Sequence, residues 1–112
     1  PAVAKQESAA EGIVIARPVK GRSILEAIYD SEGVVLTVAE DEIWATARTL
    51  AEKGIYVEPT AAAAPAAVRQ LAELGLAGPG SSVVVALTGM GLKATDKFIE
   101  HLGTDDGEAV QP

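Results

Sequence analysis

An α/β fold, a small parallel sheet with flanking helices, is the architecture this sequence predicts. Three observations carry that reading. Two apolar runs, Val34-Val35-Leu36-Thr37-Val38 and Ser82 to Leu87, have the valine-rich composition of strands covered on both faces. Stretches with helical spacing separate and flank them, as in Ile43, Ala47 and Leu50. Glycine or Gly/Pro clusters punctuate the transitions. Strands alternating with helices imply parallel pairing through right-handed crossovers.

Taken in order, residues 1–11 are small and polar and predict a disordered N-terminal segment. Gly12 to Ala16 forms a short extended candidate, closed by Arg17-Pro18 because the residue before proline disfavours helix. Ile24, Leu25, Ala27 and Ile28 share one helical face, and Ser31-Glu32-Gly33 stops that helix with glycine suited to the left-handed position. The run 34–38 follows as a strand. Glu40-Asp41-Glu42 then opens a helix with acids at the positive end of its dipole, and Lys53-Gly54 ends it. Pro59 occupies a favoured first-turn position of a helix running through Val68, Leu71 and Leu74 to Gly75. Pro65 lies inside it and is expected to kink the helix or to delay its regular part. Gly78-Pro79-Gly80-Ser81 is a turn, 82–87 a strand, and Lys93 to Leu102 a last amphipathic helix through Phe98 and Ile99. An acidic, disordered tail is expected over 103–112. So small a sheet leaves edges that need cover, from a second copy or from further sequence.

At 112 residues there is material for one core. Alanine inflates the hydrophobic fraction of 48%, while aromatics make up only 4%. Burial therefore yields less transfer free energy than a Leu/Phe-rich core, and modest stability is expected. A net charge of −7 opposes a nucleic-acid or anionic-membrane surface. No cysteine is present, so neither a disulfide framework nor thiolate chemistry is available, which is compatible with a cytoplasmic location. No apolar run approaches the roughly eighteen residues of a membrane span. The proline start reads as a cut or processed boundary. His101 is the only histidine, so a histidine-based metal cluster is not expected.

Thr88 is the sharpest candidate for chemistry. It stands at the carboxyl end of a predicted parallel strand, the edge where open α/β sheets bind ligands. Gly89 and Gly91 would let the backbone pass close to a flat ligand. The bland alternative is a strand exit with a locally satisfied hydroxyl. Glu58, before Pro59, has an equally simple reading as an acid at a helix start. Lys93 reads as a helix-start surface residue, and Trp44 and Tyr56 as core or interface residues.

Set side by side, Glu58-Pro59-Thr60-Ala61-Ala62 and Leu87-Thr88-Gly89-Met90-Gly91-Leu92-Lys93 resemble the C-terminal part of the threonine synthases, within the tryptophan-synthase-like, fold-type-II class of pyridoxal-phosphate enzymes. Ala16-Arg17-Pro18-Val19-Lys20-Gly21-Arg22 resembles a further family stretch. The resemblance covers roughly residues 12–100 and implies that 12–102 is the C-terminal portion of a cofactor-binding domain. It implies that Thr88 hydrogen-bonds the pyridine nitrogen of pyridoxal 5'-phosphate, with Glu58 and Gly89 beside the ring, and that Arg17 helps to hold a phosphorylated amino-acid substrate. A neutral hydroxyl, unlike a carboxylate, does not hold that nitrogen protonated, which suits elimination and replacement chemistry. Met90 and Ala94 depart from the commoner histidine and aspartate and leave the substrate open.

The family's Schiff-base lysine and phosphate-cradling loop have no counterpart in these residues, so no catalytic residue is assigned here. An N-terminal catalytic part is the implied partner, in a homo-oligomer. The implied reaction is conversion of O-phosphohomoserine to threonine. Threonine dehydratase or another pyridoxal-phosphate lyase stays open as an alternative, as does a stand-alone, non-catalytic α/β binding module.

Overall fold

Among the described residues a cluster of seven buried hydrophobic side chains makes up the core, Ala10, Ile43, Ala47, Val57, Ala61, Ala62 and Phe98, and the Pro59 ring is fully buried as well. The computed structural model describes Ala4 and residues 6–103. Its helices are α1 (Gly21–Asp30), α2 (Glu40–Glu52), α3 (Pro59–Ala66), α4 (Val68–Glu73) and α5 (Thr95–Gly103), with 3-10 turns at Glu11–Ile13 and Gly91–Ala94. None of them is long and apolar enough to cross a membrane. The tail expected over 103–112 lies, past Gly103, outside the described residues.

The packing centre is α2 against α3. Ile43 and Ala47 of α2 meet Ala61 and Ala62 of α3, and the small alanines allow close approach of the two backbones. Before α2, Ala39 donates its N–H to Glu42 Oε2 at 3.1 Å, which satisfies the first orphan donor of the helix start. Glu40 reaches the other way. Its carboxylate accepts from the Ala9 N–H and the Ser8 hydroxyl, drawing Ala10 into the core. Gly12 N–H is held by Thr60 Oγ1 at 3.1 Å, and Lys97 pairs with Glu11 at 2.6 Å.

Helix ends follow the chain's punctuation closely. Gly54 takes a positive φ of 80°, and N–H groups of Gly54 and Ile55 return to the carbonyls of Ala51 and Leu50, closing α2. Gly75 closes α4 in the same manner. At α1 the left-handed residue is Glu32 at φ 53°, one position earlier than glycine chemistry predicts, and Gly33 follows it to bond Ile28 O. Pro65 does not delay its helix, which begins at Pro59. The break comes two residues later at Ala67, whose N–H is shared between the carbonyls of Ala63 and Ala64. Arg69 then ties α4 back to Glu42 of α2 at 2.9 Å.

The predicted parallel sheet is not formed. Among the described residues there is no strand, and about half of the chain is helix. The extended candidate at 12–16 instead opens with the 3-10 turn over Glu11–Ile13. Composition marks a segment as fit for a pleated, covered surface, but only a hydrogen-bonded neighbour makes it a strand. Residues 34–38 and 82–87 have none among the described residues. They line an open apolar trough of about 660 Å³, with Val34, Leu36, Val83 and Val85 facing Val68 and Leu71. Thr37 O accepts from the Gln70 side chain rather than from a strand partner.

Much apolar surface stays in water. Val84 is 96% exposed, and α1 buries none of its residues despite its amphipathic spacing. The Cα radius of gyration is 16.4 Å, against about 13 Å for a compact domain of this length. The isolated chain is therefore expected to self-associate and to melt at low temperature. Sedimentation velocity with a thermal melt checks this; a well-behaved monomer of high thermal stability would contradict it.

Candidate functional site

Two segments thirty residues apart in sequence meet in a single antiparallel bridge, Val57 opposite Met90. Glu58 donates its N–H to Gly89 O at 3.1 Å, and Gly91 donates to Tyr56 O at 3.0 Å, so the pair is flanked by one bond on each side. Alternation along an extended backbone sends Tyr56 and Glu58 to the same side. Each stands across from a glycine. A Cβ added at Gly89 would fall 1.9 Å from Glu58 Oε1, and one at Gly91 would fall 2.5 Å from Tyr56 Cε2. Neither glycine has a positive φ, so what these positions require is space rather than a special backbone conformation.

Glu58 starts α3 through its backbone. Its carbonyl accepts from the N–H groups of Ala61 and Ala62, while Pro59 fills the first helical position. The carboxylate does not cap the helix. It turns to Gly89 and to Lys93 Nζ, 3.3 Å away, and is only 21% exposed. Lys93 comes from the 3-10 turn Gly91–Ala94 that follows the bridge. The bridge thus sets a carboxylate, an ammonium group and the Gly89 backbone side by side.

Thr88 is exposed at the exit of the unpaired 82–87 run, two residues beyond Ala86, where the apolar trough ends. Its hydroxyl enters none of the hydrogen bonds among the described residues. Such a hydroxyl is able to donate to, or accept from, a ring nitrogen. A hydroxyl next to a glycine backbone is a donor set that fits the ring-nitrogen side of a pyridoxal-phosphate site. Arg17 lies apart: it is exposed on the bend before α1, and no hydrogen bond or ion pair among the described residues joins it to this group.

The sequence reading passed over two members of this group. Tyr56, taken as core or interface, both packs on Gly91 and hydrogen-bonds Thr95 Oγ1 at 3.1 Å. Its ring also meets Phe98 at 5.2 Å, and Phe98 meets Trp44 edge-on at 5.3 Å, so the bridge is anchored to α5 and α2. Lys93, a surface residue in the turn before α5 as its position predicts, is in addition the partner of Glu58. The pairing of large side chains at 56 and 58 with glycines at 91 and 89 was the available signal for an antiparallel contact.

Comparison with known proteins gives a consistent set of relatives. A family described as pyridoxal-phosphate dependent enzyme matches residues 1–89, a range that includes Glu58 and Thr88. The chain is 38% identical over 94 residues to threonine synthase of Methanocaldococcus jannaschii, covering 83% of this chain and 23% of that protein. It is 32% identical over 111 residues to threonine synthase of Mycobacterium tuberculosis, covering 98% and 31% respectively. Threonine synthase of Halalkalibacterium halodurans is 36% identical over 111 residues, with 98% and 31% coverage. This chain therefore spans between 23% and 31% of the length of these curated relatives.

The two glycines are expected to differ in tolerance. Gly91→Ala meets the rigid Tyr56 ring and should destabilise a full-length protein carrying this segment by about 1–3 kcal/mol. Gly89→Ala meets the end of a side chain that is able to swing away, and should cost less. Urea unfolding of both variants checks the order.

Proposed function

The chain belongs to the pyridoxal-phosphate dependent enzyme family, and from that premise we propose that it is the C-terminal portion of a threonine synthase. The full-length enzyme would convert O-phosphohomoserine and water to threonine and phosphate. The observation that carries this reading is the bridge itself. It joins the Glu58-Pro59 and Thr88-Gly89-Met90-Gly91 segments in a chain 32–38% identical to threonine synthases. Its short span relative to those enzymes fits a portion that supplies one wall of the site, with the remainder packing over the apolar trough.

In this proposal the Thr88 hydroxyl holds the pyridine nitrogen of the cofactor, and the Gly89 backbone passes the ring edge. When bound, pyridoxal phosphate supplies the electron sink for the replacement reaction. A hydroxyl orients the ring without adding charge to it. Glu58 holds the Gly89 carbonyl through its backbone N–H and packs its carboxylate beside the Gly89 Cα. Arg17 is the chain's candidate for the phosphate of the substrate, as a fixed cation suited to phosphate oxygens.

Two outcomes test this. The 112-residue chain alone should retain no cofactor absorbance after dialysis and should form no threonine from O-phosphohomoserine. In the full-length enzyme, Thr88→Val keeps the β-branched shape but removes the hydroxyl. It should weaken cofactor binding by about 1–3 kcal/mol and slow turnover while leaving the fold intact. Unchanged cofactor affinity and turnover would take Thr88 out of the site.

A further inference from the structure

Met90 is the only methionine of the chain and is 64% exposed, whereas Val57 opposite it is buried at 6%. The bonds from Glu58 N–H to Gly89 O and from Gly91 N–H to Tyr56 O lie on either side of this pair. That is the pattern of a non-hydrogen-bonded antiparallel pair, the closer of the two kinds, with both side chains on one face. Met90 is extended, at φ −77° and ψ 147°. Alternation therefore puts the Thr88 side chain on the same face as Met90, about 7 Å away along the backbone. Tyr56 and Glu58 lie over the glycines on the other face. Of the two apolar side chains on the Thr88 face of the bridge, Val57 belongs to the core and Met90 stays mostly in water.

We propose that Met90 is a positioning residue of the cofactor site: its apolar side chain covers the Thr88 hydroxyl and keeps water from the hydrogen bond to the ring nitrogen. The inference rests on the placement of Thr88 under the proposed function. Thr88 is itself exposed. A hydroxyl in water exchanges one partner for another with little net gain, whereas the same bond in dry surroundings is electrostatically stronger. Methionine has the properties such a cover needs. Its unbranched chain adapts to the edge of an aromatic ring, and its sulfur, a weak acceptor, competes poorly for the hydroxyl proton. Its backbone is held by the two bonds of the bridge, so its reach toward Thr88 is fixed by the same contact that orders the site.

The test uses the full-length enzyme, comparing wild type with Met90→Ala, Met90→Leu, Met90→Gln, Thr88→Val and the Met90→Ala/Thr88→Val double variant. The dissociation constant of pyridoxal phosphate is measured for each, beside the thermal midpoint of the cofactor-free protein. Met90→Ala should weaken cofactor binding about three- to tenfold, part of the worth of one hydrogen bond, with little change in the cofactor-free midpoint. Met90→Leu, apolar and of similar volume, should keep near wild-type affinity. Met90→Gln keeps the length but brings a polar amide, and should bind as weakly as Met90→Ala. In the Thr88→Val background Met90→Ala should cost much less, because no hydroxyl is left to cover. Wild-type affinity in Met90→Ala beside a weakened Thr88→Val, or an undiminished loss in the double variant, overturns the proposal. Should Met90→Ala lower the cofactor-free midpoint, the Leu and Gln variants decide: tighter binding in Met90→Leu supports the cover, and equal binding overturns it. Wild-type cofactor affinity in Thr88→Val would instead remove the underlying site, whatever Met90 does.

Discussion

The fit of two large side chains over two glycines is the constraint on which this structure turns. Tyr56 and Glu58 lie on one side of the Val57–Met90 bridge, and each occupies the volume a side chain at Gly91 or Gly89 would need. From that contact the rest follows in both directions. Tyr56 carries the bridge to Phe98 and, through it, to Trp44, joining α5 to α2 by three of the four aromatic residues. Glu58 carries it to α3, whose start it forms, and so to the alanine interface with α2. The candidate site lies on the bridge, so its geometry inherits the rigidity of that packing.

Energetically the interior is thin. Alanine contributes four of the seven buried core side chains, and each buries little area. Ile43, Val57 and Phe98 do most of the remaining work. Specific polar contacts add to this at the edges: Glu40 draws in residues 8–10, Arg69 secures α4, and Lys97 holds Glu11. These are exposed pairs whose worth is small individually. Such a core is well suited to a segment that buries more surface when other chain covers its trough.

The same economy explains the missing sheet. A strand in a covered parallel sheet needs neighbours for its backbone and for both of its faces. Residues 34–38 and 82–87 carry the side chains for such a place, yet among the described residues they share an open trough with α3 and α4 and have no paired strand. Val84 accordingly stands almost fully in water. Their composition describes an environment that these residues do not themselves create.

What the sequence determined by itself is local or motif-borne. Helix extents came from apolar spacing and from end signals such as Glu40-Asp41-Glu42, Gly54 and Gly75, because capping and left-handed closure depend on neighbouring residues only. Family membership was legible in Glu58-Pro59 and the 87–93 segment, which resemble stretches of the family, and the family match bears it out. Tertiary structure alone decided the rest. That the two motif segments pair antiparallel, that Lys93 answers Glu58, and that Tyr56 fills the space over Gly91 are contacts across more than thirty residues. Spacing along a chain does not specify them, because they depend on which surfaces meet. The absence of strand pairing among the described residues has the same cause: pairing belongs to two segments together, and composition is read from one at a time.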